Sequence, residues 1–292
     1  QNEQDSRRYA LAAGVPLLDA GDAQDAYAYV FRVVEISERW GRPVLLRLTT
    51  RVSHTRSVVR PDAVERCAPP RPPQFTHRRA ERVMIPGHAR AARRRHWAAI
   101  EELSSWNESS GLTVEWPGGD ELGIIASGVC AMYAREAAPE ARVLKPALLW
   151  PWPIERMRRF AESVRRCLVV EEGDPVLEEA LRAAGVPVEP RPLSQRFGEL
   201  NVARIRARIE AGSDADTMLP AGRPPELCAG CPHRAVFEVL RDEDCIVAGD
   251  IGCYTLGVRP PFEAMDTCIC MGAAIGVGLG LRHVLPAAQA RR

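Results

Sequence analysis

The chain lacks any apolar run long enough to cross a membrane. The longest, Met271 to Leu281, has eleven residues, against about 20 for a spanning helix. It also lacks an excess of either charge. Lysine plus arginine total 39 and aspartate plus glutamate 38, a formal net charge of +1. The chain as a whole therefore makes no case for nucleic acid or an anionic membrane as a partner. Nine cysteines in 292 residues are too few, and odd in number, for a disulfide scaffold. No G-x-G-x-x-G and no G-x-x-x-x-G-K-[ST] occurs, so neither a dinucleotide fingerprint nor a P-loop is indicated. The polar opening QNEQDSRRYA carries no targeting pattern and no initiating Met, and the chain closes on AAQARR. The expectation from both ends is an internal fragment of a longer protein, working in a reducing cytoplasm, where grouped thiols mean metal or redox chemistry more often than bridges.

What is present alternates strand and helix. Over residues 9–48, VPLLDA reads as a short strand. A helix then runs to Trp40, with Ala26, Tyr29, Val30, Val33 and Val34 at helical spacing, and PVLLRLT follows as a second, buried strand. Such a βαβ unit implies a parallel sheet. TTRVSHTR lies at the C-terminal end of its second strand, where open α/β sheets keep ligands. Residues 60–95 hold ten Arg and six Pro against three acidic residues, a composition that reads as a solvated linker with no packed element before about residue 90. From 121 to 210 the pattern resumes: strands at ELGIIAS, ARVL, CLVVEE and VPVEP, with helices at Cys130–Ala137, Ile154–Val164 and Val176–Ala184. The organisation expected is an α/β fold of several open, mostly parallel-sheet domains, the first and last incomplete. Its boundaries are 1–58, a linker with a terminal helix at 59–118, a small α/β domain at 119–212, a linker at 213–226, and a last domain at 227–292.

Chemistry concentrates in the last segment, which carries six of the nine cysteines between 228 and 270. In CAGCPHR, Cys228 and Cys231 form a C-x-x-C that can ligate a metal, cycle as a redox pair ahead of a helix, or sit as structural thiols. Spacing alone leaves the three readings open. A buried strand then ends in AGDIGCYTLG, whose glycines permit a sharp turn with exposed backbone N–H groups, a shape suited to phosphate oxygens. Glycines 272, 276, 278 and 280 fall in a helical run, where each costs up to about 1 kcal/mol relative to alanine, and so suggest close backbone approach to an element or a cofactor. The Glu171–Glu172 pair ends a strand. Adjacent carboxylates invite an acid–base reading, but neighbours in a strand point to opposite faces.

CAGCPHR, GDIGCYTLG and DTCICMGAAIGVGLG, in that order, resemble the start of the thiamine-diphosphate domain of indolepyruvate:ferredoxin oxidoreductase alpha subunits, within the 2-oxoacid:ferredoxin oxidoreductases. QNEQDSRRYA with LRLTTRVSHTR resembles the end of their pyrimidine-binding domain, and residues 119–212 resemble the transketolase C-terminal domain. The resemblance covers nearly the whole chain and is weakest in the Arg/Pro stretch. It implies oxidative decarboxylation of aryl pyruvates, chiefly indolepyruvate, to the acyl-CoA. The implied cofactors are thiamine diphosphate, Mg²⁺ and [4Fe–4S] clusters; the implied partners are a beta subunit, ferredoxin, the 2-oxoacid and coenzyme A. It places Asp250, Ile251, Gly252, Cys253 and Tyr254 against the cofactor. Cys228, Cys231 and Cys253 become candidate cluster ligands, and Thr49, Thr50, Arg51 and His54 face the substrate. Arg51 is the candidate anchor for the substrate carboxylate by its bidentate geometry, and Arg51 and His54 are the candidate catalytic residues. The family's G-D-S-type motif for metal and diphosphate, and its pyrimidine-activating glutamate, do not occur in this sequence. The 292 residues alone are therefore expected to be inactive and to bind thiamine diphosphate weakly or not at all. The alternative from another class is a non-catalytic, Cys-rich metal-binding or interaction module built on Cys228, Cys231 and Cys253 with Cys268 or Cys270.

Overall fold

A computed structural model describes residues 4–61, 77–211, 225–243 and 245–289. Most of the Arg/Pro stretch and of the 213–226 linker lies outside the described residues. The chain divides into two compact units, one within Gln4–Thr217 and one within Met218–Arg292.

In the larger unit, helix α1 (Ser6–Ala13) starts at Asp5, whose side chain accepts the Arg7 N–H, and stops at Gly14 in the left-handed region. Strand β1 (Leu17–Asp19), helix α2 (Ala23–Trp40) and strand β2 (Leu45–Arg47) form the expected βαβ unit, with β1 and β2 parallel and LLD in register with LLR. Asp22 caps α2 and Gly41 ends it. Contrary to the sequence reading, β2 is not buried; Leu45 is 39% exposed. Helix α3 (Thr50–His54) follows directly. A short helix α4 (Arg79–Arg82) and the long α5 (Pro86–Asn107) begin earlier than residue 90, because Pro86 suits the first helical turn, where its missing N–H costs nothing.

The second sheet runs β3–β5–β4–β7, from β3 (Thr113–Trp116), β4 (Gly119–Ala126), β5 (Ala141–Pro146) and β7 (Arg166–Val170). β4 is parallel to β5 and β7, and β3 adds an antiparallel edge. Strands covered on both faces read as apolar runs, as GIIA at the end of β4 and CLVV in β7 do. Ile125, Leu144 and Val169 face α7 (Ile154–Glu162) and α8 (Val176–Ala183), while Ile124, Val143 and Val170 face α6 (Cys130–Ala137) and α9 (Val202–Ala211). Between β5 and α7, β6 (Leu148–Trp150) pairs antiparallel with β1, so the chain crosses from one sheet to the other at Ala147. The strand expected at VPVEP is a single bridge, Leu168 to Glu189.

The smaller unit has helix α10 (Pro232–Asp242), strands β8 (Ala248–Gly249) and β9 (Thr267–Cys268) paired in parallel, a 3₁₀ turn at Cys253–Val258, and helix α11 (Ala273–Val284). Its core is Leu227, Phe237, Phe262 and Ala264. The run expected to be helical from DTCIC onward is strand first and helix only from Ala273. Among its glycines, a Cβ at Gly278 would stand 3.8 Å from Ala248 Cβ, an ordinary contact, while one at Gly276 or Gly280 meets nothing within 4 Å among the described residues, and α11 has no buried residue.

Candidate functional site

In the larger unit a cleft of about 300 Å³ opens at the C-terminal end of β2, lined by Arg47, Thr49, Thr50, Arg51, Glu172 and Glu199 among others. Register explains its floor. Asp19 and Arg47 end paired strands, and Arg47 Nη1 donates to both Asp19 oxygens at 3.1 and 3.0 Å. Burial pushes the Asp19 carboxyl up, with the Arg47 guanidinium opposing it. Arg51 is exposed and donates from Nε to Glu199 Oε2 at 2.9 Å. That contact raises its pKa, yet an exposed pair of this kind contributes about 0–1 kcal/mol, so a ligand carboxylate can replace Glu199 at little cost. Thr49 Oγ1 is buried with no hydrogen-bond partner among the described residues. Three of the four substrate-facing residues expected from the sequence, Thr49, Thr50 and Arg51, thus line one cleft. His54, exposed at the end of α3, is not among its lining residues.

The glutamate pair lies just past the end of β7, and its two side chains separate. Glu171 is fully buried and accepts the N–H groups of Leu177 and Glu178 at 2.9 and 3.0 Å, capping α8. Glu172 turns to the cleft and accepts the Leu200 N–H at 3.1 Å. Burial raises the Glu172 carboxyl; the Leu200 N–H and Arg47 work against it, and Glu199 adds to it. An acid whose folded pKa lies above its unfolded one carries a penalty at neutral pH that vanishes below the unfolded value. Glu172→Gln is therefore expected to raise the urea midpoint at pH 7 and to lose that advantage below pH 4.5, the ordinary value; equal midpoints at pH 7 contradict this. The roles of Asp19, Arg47 and Glu199 escaped the sequence reading. The matched ends of LLD and LLR were a signal for the first two; nothing local marks Glu199.

In the smaller unit Cys231 caps α10 with Pro232 in the first turn, and its N–H donates to Cys228 O at 3.1 Å. Gly230 takes φ +72° to close that turn. The GDIGC turn depends on Gly252, at φ +121°, a region essentially confined to glycine. A Cβ there would meet nothing within 4 Å, so the turn is open to a ligand. Asp250 accepts the N–H groups of Ile251 at 2.7 Å and Gly272 at 2.8 Å, pinning β8 to the start of α11. The two motifs meet through rings: His233 and Tyr254 stand 4.5 Å apart between centroids, and Phe237 meets Tyr254 edge-on at 6.1 Å. The thiols do not assemble. Cys228 and Cys253 are exposed and Cys231 is half-buried, and among the described residues no three His, Cys, Asp or Glu side chains form a group able to hold a metal ion. The backbone turn fits the diphosphate side of thiamine diphosphate; the thiol set, as arranged, does not fit a [4Fe–4S] cluster, which needs four ligands. Among the described residues no helix is long and apolar enough to cross a membrane.

No protein-family model matches the chain. It is 36% identical over 311 residues to indolepyruvate oxidoreductase subunit IorA of Methanothermobacter thermautotrophicus, and 34% identical over 319 residues to that of Archaeoglobus fulgidus. These alignments cover 96% and 98% of this chain and 50% of each relative, so the chain spans about half the length of the curated relatives it matches. Among solved structures, the 2-oxoglutarate:ferredoxin oxidoreductase from Magnetococcus marinus with 2-oxoglutarate, coenzyme A and succinyl-CoA bound aligns with a TM-score of 0.52 at 16% identity. That alignment covers 73% of this chain and 45% of the other, and at such identity the likeness is one of fold: open α/β sheets of the thiamine-diphosphate-enzyme type. Sequence likeness to the IorA subunits thus runs through nearly the whole of this chain, over about half of their length, and the fold agrees.

Proposed function

We propose that the chain forms part of an oxidoreductase that decarboxylates aryl pyruvates such as indolepyruvate to the acyl-CoA and passes the electrons to ferredoxin, together with a beta subunit. The observation that carries this reading is the cleft that gathers Thr49, Thr50 and Arg51 at the end of β2 in a chain with IorA-type relatives. Arg51 orients a 2-oxoacid by exchanging its Glu199 partner for the substrate carboxylate. Thr49 supplies a hydroxyl with no partner of its own. His54 stays a candidate for the edge of the site.

Thiamine diphosphate, when bound, supplies the electron sink that lets a 2-oxoacid lose carbon dioxide. Ile251, Gly252, Cys253 and Tyr254 support it as an open turn against its diphosphate side, and Asp250 shapes that turn through Gly272 rather than by ligation. Among the described residues no three His, Cys, Asp or Glu side chains form a group that could hold Mg²⁺. No electron path is drawn through Cys228, Cys231 and Cys253.

The test is an anaerobic assay of the complete two-subunit enzyme, following indolepyruvate- and coenzyme A-dependent dye reduction. Arg51→Gln is expected to lower kcat/KM about 10- to 100-fold, mainly through KM, since a charged hydrogen bond contributes roughly 1.5–3 kcal/mol. Arg51→Lys should recover part of the loss. An unchanged KM removes Arg51 from the site, and no indolepyruvate-dependent reduction by the parent enzyme overturns the reading itself.

A further inference from the structure

The smaller unit contains a second pocket, of about 390 Å³, beside the C-x-x-C and separate from the GDIGC turn. Its walls are Leu227, Leu256 and Phe262, closed by Pro225, Pro260 and Pro261. Two guanidiniums line it. Arg234, from CAGCPHR, donates to Leu227 O at 3.2 Å and lies 5.3 Å from the centroid of the Phe262 ring. Arg259 is exposed, and its side chain makes no hydrogen bond or ion pair among the described residues. The rim is held from below: Arg241 Nη1 donates to Pro261 O at 3.1 Å, and the Phe262 N–H to Arg259 O at 3.0 Å.

The lining selects a ligand class. Among the described lining residues, two arginines against one carboxylate, Glu226, which has an interaction of its own, leave a charge of 2 − 1 = +1, suited to a monoanion. Phosphate is met by guanidinium groups and commonly also by backbone N–H groups, and the three prolines here have no N–H to add. That disfavours phosphate or diphosphate and favours a carboxylate met by guanidinium donors. The remaining walls are a phenyl ring, a guanidinium face and branched aliphatic side chains, which take a flat, apolar body. The volume falls within the roughly 300–1,000 Å³ range of small-molecule sites.

We propose that this pocket is a binding site for a small aromatic carboxylate, with Arg259 as its carboxylate contact and Arg234 stacked on the aromatic body. It is distinct from the Arg51 cleft, and its occupancy requires neither cofactor nor turnover. A failure here therefore leaves the oxidoreductase reading untouched, and the reverse also holds.

Calorimetric titration of the 292-residue chain with indole-3-acetate tests it. Saturable binding with one site per chain is expected, weakened about 10-fold by Arg259→Gln, a loss of about 1.4 kcal/mol. Indole-3-acetamide, with the same body and no charge, should bind at least about 10-fold more weakly, and Arg282→Gln, on exposed α11, should bind like the parent chain. Excess inorganic phosphate should not compete. No binding, equal affinity for the amide, indifference to Arg259→Gln, or displacement by phosphate each overturns the proposal.

Discussion

Replacing Arg7 by alanine should lower the unfolding free energy of the larger unit by about 3–5 kcal/mol, the cost of leaving buried charge without its partner. Arg7 has no exposed surface. Its Nε donates to Asp5 Oδ1 at 2.8 Å, its Nη1 to Glu171, and its Nη2 to the carbonyls of Glu172 and Asp174 at 2.6 and 2.8 Å. Truncation thus strands two carboxylates and two carbonyls at once, and one of those carboxylates caps α8. The pH dependence has a definite sign. Burial alone would raise the Asp5 carboxyl, but the hydrogen bonds and charge of Arg7 carry it below its ordinary 3.8. A depressed acid contributes stability above its unfolded pKa and loses it as the pH falls through the folded value. The Arg7→Ala deficit should therefore be full at pH 7 and shrink below about pH 3.9. Urea unfolding at both pH values decides the matter; a deficit under about 1 kcal/mol at pH 7 would mean that the network relaxes around the gap. Arg7→Lys should recover only part, because a point charge cannot replace the planar fork.

Phe237→Ala should unfold the smaller unit while leaving the larger one intact. Phenylalanine-to-alanine changes in cores cost about 3–5 kcal/mol, and a unit of this size has only a few kcal/mol in total at roughly 0.05–0.15 kcal/mol per residue. Phe237 is 1% exposed and touches the two features that give the unit its chemistry, through Tyr254 in the GDIGC turn and Phe262 in the second pocket. Gly257 shows how closely it is seated: a Cβ there would stand 2.7 Å from the ring. All six tryptophans fall between Trp40 and Trp152, so their fluorescence reports the larger unit alone. The expected result is an unchanged tryptophan transition, loss of amide protection along α10, and loss of indole-3-acetate binding. Persistent protection of α10 would show that the core of the unit lies elsewhere.

The helices α6, α7, α8 and α10 and the strands β4, β5 and β7 were legible to within a few residues, because each buries a continuous run or a face with the right period. β3 was not. TVEW is a short edge strand with Val114 and Glu115 exposed, too few residues for alternation to register. β6 was hidden for a different reason: LLW continues the apolar run of β5 without a break, and only its pairing with β1 shows that the chain has changed sheets. The glycine run by itself does not settle packing, since a glycine tolerates close approach without requiring it.

Local order carried the family. The three cysteine- and glycine-bearing motifs and the TTRVSHTR segment carried the resemblance, and the likeness to IorA subunits covers 96% of the chain. Turn chemistry follows from the same short range: Gly252 is needed at φ +121° whatever surrounds it. Tertiary structure alone decided which charged groups are buried and with whom they pair. Only the docking of α1 against the end of β7 makes Glu171 the partner of Arg7 and leaves Glu172 facing Arg47 and Arg51. Glu199 reaches Arg51 across 148 positions of sequence. Periodicity is set by the nearest few residues, whereas desolvation and ion pairing depend on whatever the fold brings within a few ångströms, and no spacing rule spans that distance.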